Sequence, residues 1–449
     1  MAAPRGEFSS KLGFLMAAAG SAVGLGNVIS FPSQAASNGG AAFLLLYLLL
    51  AFLLAYPALM AELVIGRHAK ANSVEAMRKV AAGPMTRRIG IATGFGGMTV
   101  ASLILSFYVI MAGWMVAHAL ASVTNAAGLD GATEWLITNG VSRNLVFAAL
   151  LMAITVAIIC GGVKDGIEKW CSRLMPALLA ILVLLIVYVL TLDGAIDGLK
   201  AYLIPDFSRA TSPRLVISAM GQAFFSLSLG VGTMLIYGSY VSDRGNLVSL
   251  GRSVTLLDIS IAVLAGLLIM PAMYAAQAIG VVIHDADGNL VQDFGLVFVV
   301  LPALFEIMGG VGSAVSLAFF VLITMAAITS SISVLEVPVA YAVENHDMQR
   351  RRATMLIGAG VFVISTLIIF NFDALFSLVI TVAMQYGEPL IAFMMCIFVG
   401  WIMQRNALLE EIKKGNEGAE NGLFWKVWPF YVRFVCPAAI LIVLAQSFL

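Results

Sequence analysis

The chain has 449 residues, of which 61% are hydrophobic and 11% charged, and its basic and acidic side chains balance to a formal net charge of zero. Soluble domains average about 45–50% apolar and about 25% charged residues, so this chain cannot cover itself with polar surface and lipid must be its solvent. The neutral balance excludes a global basic surface for nucleic acid. Four dispersed cysteines (Cys160, Cys171, Cys396, Cys436), without CxxC or Cys/His spacing, read as buried apolar residues and not as metal ligands or a disulfide frame.

A helix needs about 20 apolar residues to cross about 30 Å of hydrocarbon. On that length the sequence predicts an all-α membrane protein of about eleven transmembrane helices, near 11–36, 39–66, 89–122, 144–160, 170–192, 214–241, 253–283, 311–343, 354–371, 374–403 and 427–447. With the N-terminus inside, 20 of the 25 Lys and Arg fall in cytoplasmic segments. That asymmetry orients the chain with its N-terminus in the cytoplasm and its C-terminus outside. Short loops point to a bacterial inner membrane.

Most spans are runs of Leu, Val, Ile and Ala. The first is interrupted by Gly20, Gly24, Gly26 and Asn27, with Pro32 a turn later, and the sixth by Ser226, Ser228, Gly230 and Gly232. Glycine inside a helix costs about 1 kcal/mol relative to alanine. Close helix packing would place glycines on one face, whereas Gly24 and Gly26 point in different directions. Both helices are therefore expected to unwind at mid-membrane, which is tolerated only where the backbone lines a polar cavity. Spans 1 and 6 are the first members of two possible five-helix units, 1–5 (about 11–192) and 6–10 (about 214–403). The second unit is inverted because five is odd, and 427–447 is an extra helix. Interrupted segments at corresponding positions of two halves mark transporter binding sites. An unwound helix offers free N–H groups to a carboxylate and free carbonyls to a cation, side by side. The whole chain reads as one polytopic domain.

The run Ala22 to Asn27 with Phe31-Pro32, then Asn38-Gly39-Gly40, Glu62 with Gly66-Arg67, Tyr108, Gly221-Gln222, Phe224 to Gly230, and Thr329-Ser330-Ser331 occur in one order along spans 1 to 10. In these blocks the chain resembles the neurotransmitter:sodium symporters, most closely the bacterial amino-acid members typified by the leucine transporter. The resemblance implies a sodium-coupled symporter that imports neutral, mostly hydrophobic L-amino acids by alternating access, and no enzyme activity.

It also implies a set of site residues. The substrate carboxylate would meet the backbone at Ala22 and Gly26 and the Tyr108 hydroxyl. The ammonium would meet carbonyls of Ala22, Phe225 and Ser226, helped by Ser228. The side chain would lie among Ile104, Tyr108, Phe225, Ser228, Val231, Ser330 and Val334, a wall without charge. A first sodium would be held by the Ala22 carbonyl, Asn27, Ser226, Asp258 and the substrate carboxylate. A second would be held by carbonyls of Gly20, Val23 and Ala326 and the hydroxyls of Thr329 and Ser330. Gly24 stands where monoamine carriers place an aspartate, so the substrate should bring its own carboxylate.

Several positions depart from the family pattern. Asp258 replaces an asparagine and Ala262 stands where chloride-dependent relatives have serine, so Asp258 is expected to supply the fixed negative charge and remove the need for chloride. Ser30 replaces the outer-gate arginine, leaving Asp373 as the acid nearest its expected partner's place. The closure is then expected to fall more on the aromatic lid of Tyr108 and Phe225. Arg5 aligns with the inner-gate arginine, with Glu344 as partner. Phe8 stands in place of a tryptophan. Glu62 and Glu388 are expected to pair, at least one protonated, and Glu336 to bond a neighbouring helix. Two other readings stand beside this one: a proton-coupled amino-acid transporter of the same fold using Asp258, Glu62 or Glu388, and a non-transporting membrane sensor of amino acids. The sequence leaves open the particular amino acid, the number of sodium ions and the oligomeric state.

Overall fold

The structure, a computed structural model, describes residues 6–205, 213–283, 291 and 295–446. Among the described residues the regular structure is entirely helical. Nine of these helices are long and apolar enough to cross a membrane, or ten if the bent pair Lys11–Ala22 and Gly26–Ser37 is one span. The sixth predicted span is likewise two helices, Pro213–Ser226 and Thr233–Ser239, each too short to cross alone. We number the spans in chain order. Span 1 is the bent pair, span 2 Ala41–Ala69, span 3 Pro84–Ala126, span 4 Val141–Cys160 and span 5 Val163–Val189. Span 6 is the second pair, span 7 Leu247–Ala278, span 8 Gly310–Asn345, span 9 Arg350–Phe370, span 10 Phe372–Ile402 and span 11 Leu423–Gln446.

The region expected to be a plain outer loop before span 8 contains an apolar helix, Leu296–Ile307. Its Phe298 packs on Trp114 of span 3 and Phe320 of span 8, with ring centroids 5.8 and 6.3 Å apart. Twelve residues are too few to cross a bilayer but enough to lay an apolar face on the bundle.

Spans 3 and 8 share the most extensive contact in the molecule. Spans 2 and 6 approach so closely that a Cβ on Gly66 would sit 1.9 Å from the Leu235 carbonyl oxygen, the small-residue contact that replaces hydrophobic driving force in lipid. At the N-terminal end of span 1 Phe8 takes its aromatic place against Phe14 and Tyr237, at 5.5 and 5.6 Å, and its N–H donates to the Tyr240 carbonyl at 3.2 Å. Ser9 and Ser10 both donate to the Glu168 carboxylate.

Where span 2 ends, the fully buried Arg67 pairs with Glu411 of the helix Arg405–Lys413 at 2.5 Å and donates to the Gly245 carbonyl at 2.6 Å. Burial pushes the Glu411 carboxyl up, but His68, Arg67 and Lys414 outweigh it and hold it at about 2, against an ordinary 4.5. A depressed carboxyl adds stability above its unfolded value that is lost as pH falls through its folded one. The contribution is therefore complete above pH 4.5 and disappears towards about 2. Arg67→Met, which removes the buried partner of Glu411 and leaves it Lys414 at 3.0 Å, is expected to cost about 1.5–3 kcal/mol, read as a lower Tm of the detergent-solubilised protein at pH 7; an unchanged Tm would count against the pairing.

Candidate functional site

Span 1 stops at Ala22 because the next two residues leave the helix: Val23 is extended (φ −77°, ψ 97°), Gly24 bends, and the chain re-enters through Leu25 into Gly26–Ser30 in a wide π-type turn, bent by 60°. π-type turns recur at functional sites because they free backbone groups. Span 6 unwinds between Ser226 and Thr233, with Gly230 and Gly232 in the left-handed region (φ +89° and +84°) and Ser228 there as well (φ +51°). A serine in that conformation is strained. Span 2 supports the break: Glu62 Oε1 accepts the Gly230 N–H at 2.6 Å. The two breaks are tied together, since Ser228 Oγ donates to the Ser21 carbonyl at 3.4 Å and Gln222 Nε2 to the Gly26 carbonyl at 3.3 Å.

Between the breaks lies a cavity of about 290 Å³. Ala22, Gly24, Gly26, Ile104, Tyr108, Phe225, Ser228, Val231, Ser330 and Val334, all expected to face substrate, line it. Ser226 does not; its side chain turns away to Asp258. The Tyr108 hydroxyl accepts the Leu25 N–H at 3.3 Å, so this tyrosine is anchored at the unwound backbone. A Cβ on Gly26 would meet the Phe225 ring at 2.5 Å: the missing side chain is what lets the ring cover the break.

The wall expected to carry no charge does carry a carboxyl. Glu388, with Ile380 and Met384 of span 10, borders the cavity. Its position follows from packing: Gly230 has no side chain to hold span 10 away, and a Cβ there would lie 2.0 Å from the Glu388 carbonyl oxygen. No local pattern in the sequence signals that contact.

Beside the cavity Asn27, Ser226 and Asp258 meet in one buried cluster. Asn27 Nδ2 donates to Asp258 Oδ1 at 2.6 Å and to Ser226 Oγ at 2.9 Å; Ser226 Oγ donates to Asp258 Oδ2 at 2.7 Å. Tyr47 donates its hydroxyl to Ser226 Oγ at 3.1 Å. Asn27 Oδ1 is buried and has no hydrogen-bond partner. A buried oxygen without a donor suits a hard cation, and a buried carboxylate supplies the charge.

A second oxygen-rich cluster joins spans 1 and 8. Ser330 Oγ lies 3.3, 3.5 and 3.2 Å from the carbonyl oxygens of Gly20, Ser21 and Val23. Its single proton cannot serve three acceptors. The neighbouring Thr329 Oγ1 donates to Ala326 at 3.0 Å. The five residues expected at the second sodium site, Gly20, Val23, Ala326, Thr329 and Ser330, thus come together with more acceptors than donors.

The family model of the sodium:neurotransmitter symporter family matches residues 5–142 and 136–449, nearly the whole chain. The chain belongs to that family. This is a family of sodium-coupled membrane transporters and not of enzymes. The symporter is 33% identical to YhdH, an uncharacterized sodium-dependent transporter of Bacillus subtilis (strain 168), over 97% of this chain and 96% of that protein. It is 30% identical to an uncharacterized sodium-dependent transporter of Haemophilus influenzae, over 99% of this chain and 98% of the other. Its fold matches the crystal structure of MhsT in complex with L-phenylalanine with a TM-score of 0.83, at 36% identity, covering 99% of this chain and 100% of MhsT.

The residues expected at the gates of this symporter are less completely joined. Ser30 lines the cavity, whereas Asp373 sits exposed in the first turn of Phe372–Ile380 and does not border it. Above the site an aromatic stack joins Phe107 to Phe376 and Trp114 to Phe372, at 6.2 and 5.8 Å. Tyr108 and Phe225 themselves line the cavity. Of the residues expected at the inner gate, Glu344 accepts from the Asn72 backbone at 2.8 Å and its amide at 2.9 Å; Arg5 lies outside the described residues. Glu336 is bonded by Tyr240 at 2.6 Å and paired with Arg350. Sequence reasoning missed Gln34, whose Oε1 accepts from Ser218 Oγ at 2.6 Å and so links the outer halves of spans 1 and 6. Its only sequence signal was a polar residue in an apolar stretch.

Proposed function

We propose that this chain is a sodium-coupled symporter that imports neutral, mostly hydrophobic L-amino acids by alternating access, without a chloride requirement. The observation that carries the proposal is the cavity between the two breaks, apolar in most of its lining and adjoined by the Asn27–Ser226–Asp258 cluster. Sodium is a co-substrate. The first ion would sit among the Ala22 carbonyl, Asn27, Ser226 and Asp258 beside the substrate carboxylate, so that each raises the affinity of the other reciprocally. The second would sit among Gly20, Val23, Ala326, Thr329 and Ser330. The phenylalanine bound in the MhsT structure supports a hydrophobic substrate, and Val231 leaves room for a bulky one. The same reading carries two inverted five-helix repeats in a single transporter domain. It also carries a bacterial inner membrane with the N-terminus inside, and an inner gate closed by Arg5 and Glu344.

The test is uptake of radiolabelled amino acids into proteoliposomes. Accumulation is expected with an inward sodium gradient and not when choline replaces sodium, and replacing chloride by gluconate should leave the rate unchanged. Uptake driven by a pH gradient without sodium would transfer the coupling to the buried acids. Collapse in gluconate would remove Asp258 as the fixed charge.

A further inference from the structure

Glu388 is a buried carboxyl that neither cation cluster and none of the backbone contacts to substrate employs. The residue is 6% exposed, borders the central cavity, and among the described residues has no hydrogen bond or ion pair. Its electrostatic neighbour is Glu62, one of whose oxygens is already committed to Gly230. The other Glu62 oxygen is buried without a hydrogen-bond partner, and a second carboxyl at the cavity without a partner calls for an explanation. Val231 follows Gly230, whose backbone meets the Glu388 carbonyl, and Val231 and Glu388 both line the cavity. Ile104 and Met384 make the surrounding lining apolar.

We propose that Glu388 is the acceptor that sets side-chain specificity, selecting neutral aromatic amino acids that carry a ring N–H or O–H donor over phenyl and aliphatic ones. This rests on reading the cavity as the amino-acid site. The carboxyl presents an oxygen lone pair whether or not it carries a proton. An indole or phenol supplies one donor at the tip of an apolar body, matching a single acceptor set in an apolar wall. A cationic side chain would bring a full charge into a cavity whose lining is mostly apolar.

The experiment is competition against sodium-dependent binding of radiolabelled L-phenylalanine to the purified full chain. Absence in the wild type of sodium-dependent binding of all three of radiolabelled L-phenylalanine, L-tryptophan and L-leucine would overturn the amino-acid reading itself, before Glu388 is addressed. With binding present, tryptophan is expected to compete at least about tenfold better than 1-methyltryptophan, which lacks the N–H, because a site built around a donor rejects the analogue without it. Tyrosine should likewise exceed phenylalanine. Glu388→Met should collapse both ratios, whereas Glu388→Gln, which keeps an acceptor, should preserve them. Ratios that survive Glu388→Met, a wild type that does not distinguish the paired ligands, or stronger competition by lysine or arginine would each overturn the proposal. The wild-type ligand series and Glu388→Gln decide the matter if the methionine variant does not fold.

Discussion

Asp258→Ala is expected to raise the sodium concentration needed for half-maximal substrate binding by about two to three orders of magnitude. The carboxylate is 1% exposed and accepts from Asn27 at one oxygen and from Ser226 at the other. Truncation removes the charged group of the cluster and leaves an amide and a hydroxyl buried without their acceptor. Breaking a buried charged contact costs about 3–5 kcal/mol, and each 1.4 kcal/mol is about tenfold in affinity. Asp258→Asn separates charge from shape: it keeps one acceptor oxygen, so a loss of only about tenfold is expected, one charge-assisted hydrogen bond having become neutral. The measurement is a sodium titration of substrate binding at constant ionic strength. An unaltered titration for Asp258→Ala would exclude the residue from the cation site.

Gly24→Asp is expected to weaken amino-acid binding by at least about a hundredfold, since like charges brought together in a buried site cost several kcal/mol. The backbone of Gly24 is not in the left-handed region, so the effect is one of space and charge and not of strain. A Cβ there would lie 2.9 Å from Ser330 Oγ and 3.0 Å from the Tyr108 hydroxyl, and the carboxylate would extend into the place proposed for the substrate's own. Gly24→Ala, with the same crowding but no charge, should cost about tenfold, in keeping with the 1–3 kcal/mol of overpacking. The deciding readout is the ratio of tryptophan to tryptamine binding, which should fall in Gly24→Asp because the amine lacks the repelled group. A ratio equal to that of Gly24→Ala would place the substrate carboxylate elsewhere.

Much of the fold was legible in the sequence because its determinants are local. Hydrocarbon thickness translates directly into residue count, and among the described residues each of the eleven expected stretches holds a helix or helix pair, nine of them, or ten with the bent pair, long and apolar enough to cross. The breaks at Val23–Gly24 and 227–232 were legible for the same reason: glycine and serine betray the backbone's conformation at the position where they occur. The residue types of the cation clusters were legible too, because oxygen-bearing side chains in an apolar span are too expensive to be incidental.

Other features depend on how distant segments pack, and no local pattern encodes that. Glu388 borders the cavity only because Gly230, 158 positions earlier, lets span 10 rest on unwound backbone. Ser226 belongs to the Asp258 cluster and not to the cavity wall because of the direction in which the broken helix turns its side chain. Asp373, the acid nearest the expected place of Ser30's gate partner, does not border the cavity. The sequence by itself determined where the chain crosses, where it unwinds and which chemistries it offers, all set by the cost of each residue in its own stretch of lipid. Only the tertiary structure decided which of those groups face one another, because hydrogen bonds and close backbone contacts between spans act over a few ångströms and depend on how the helices are arranged.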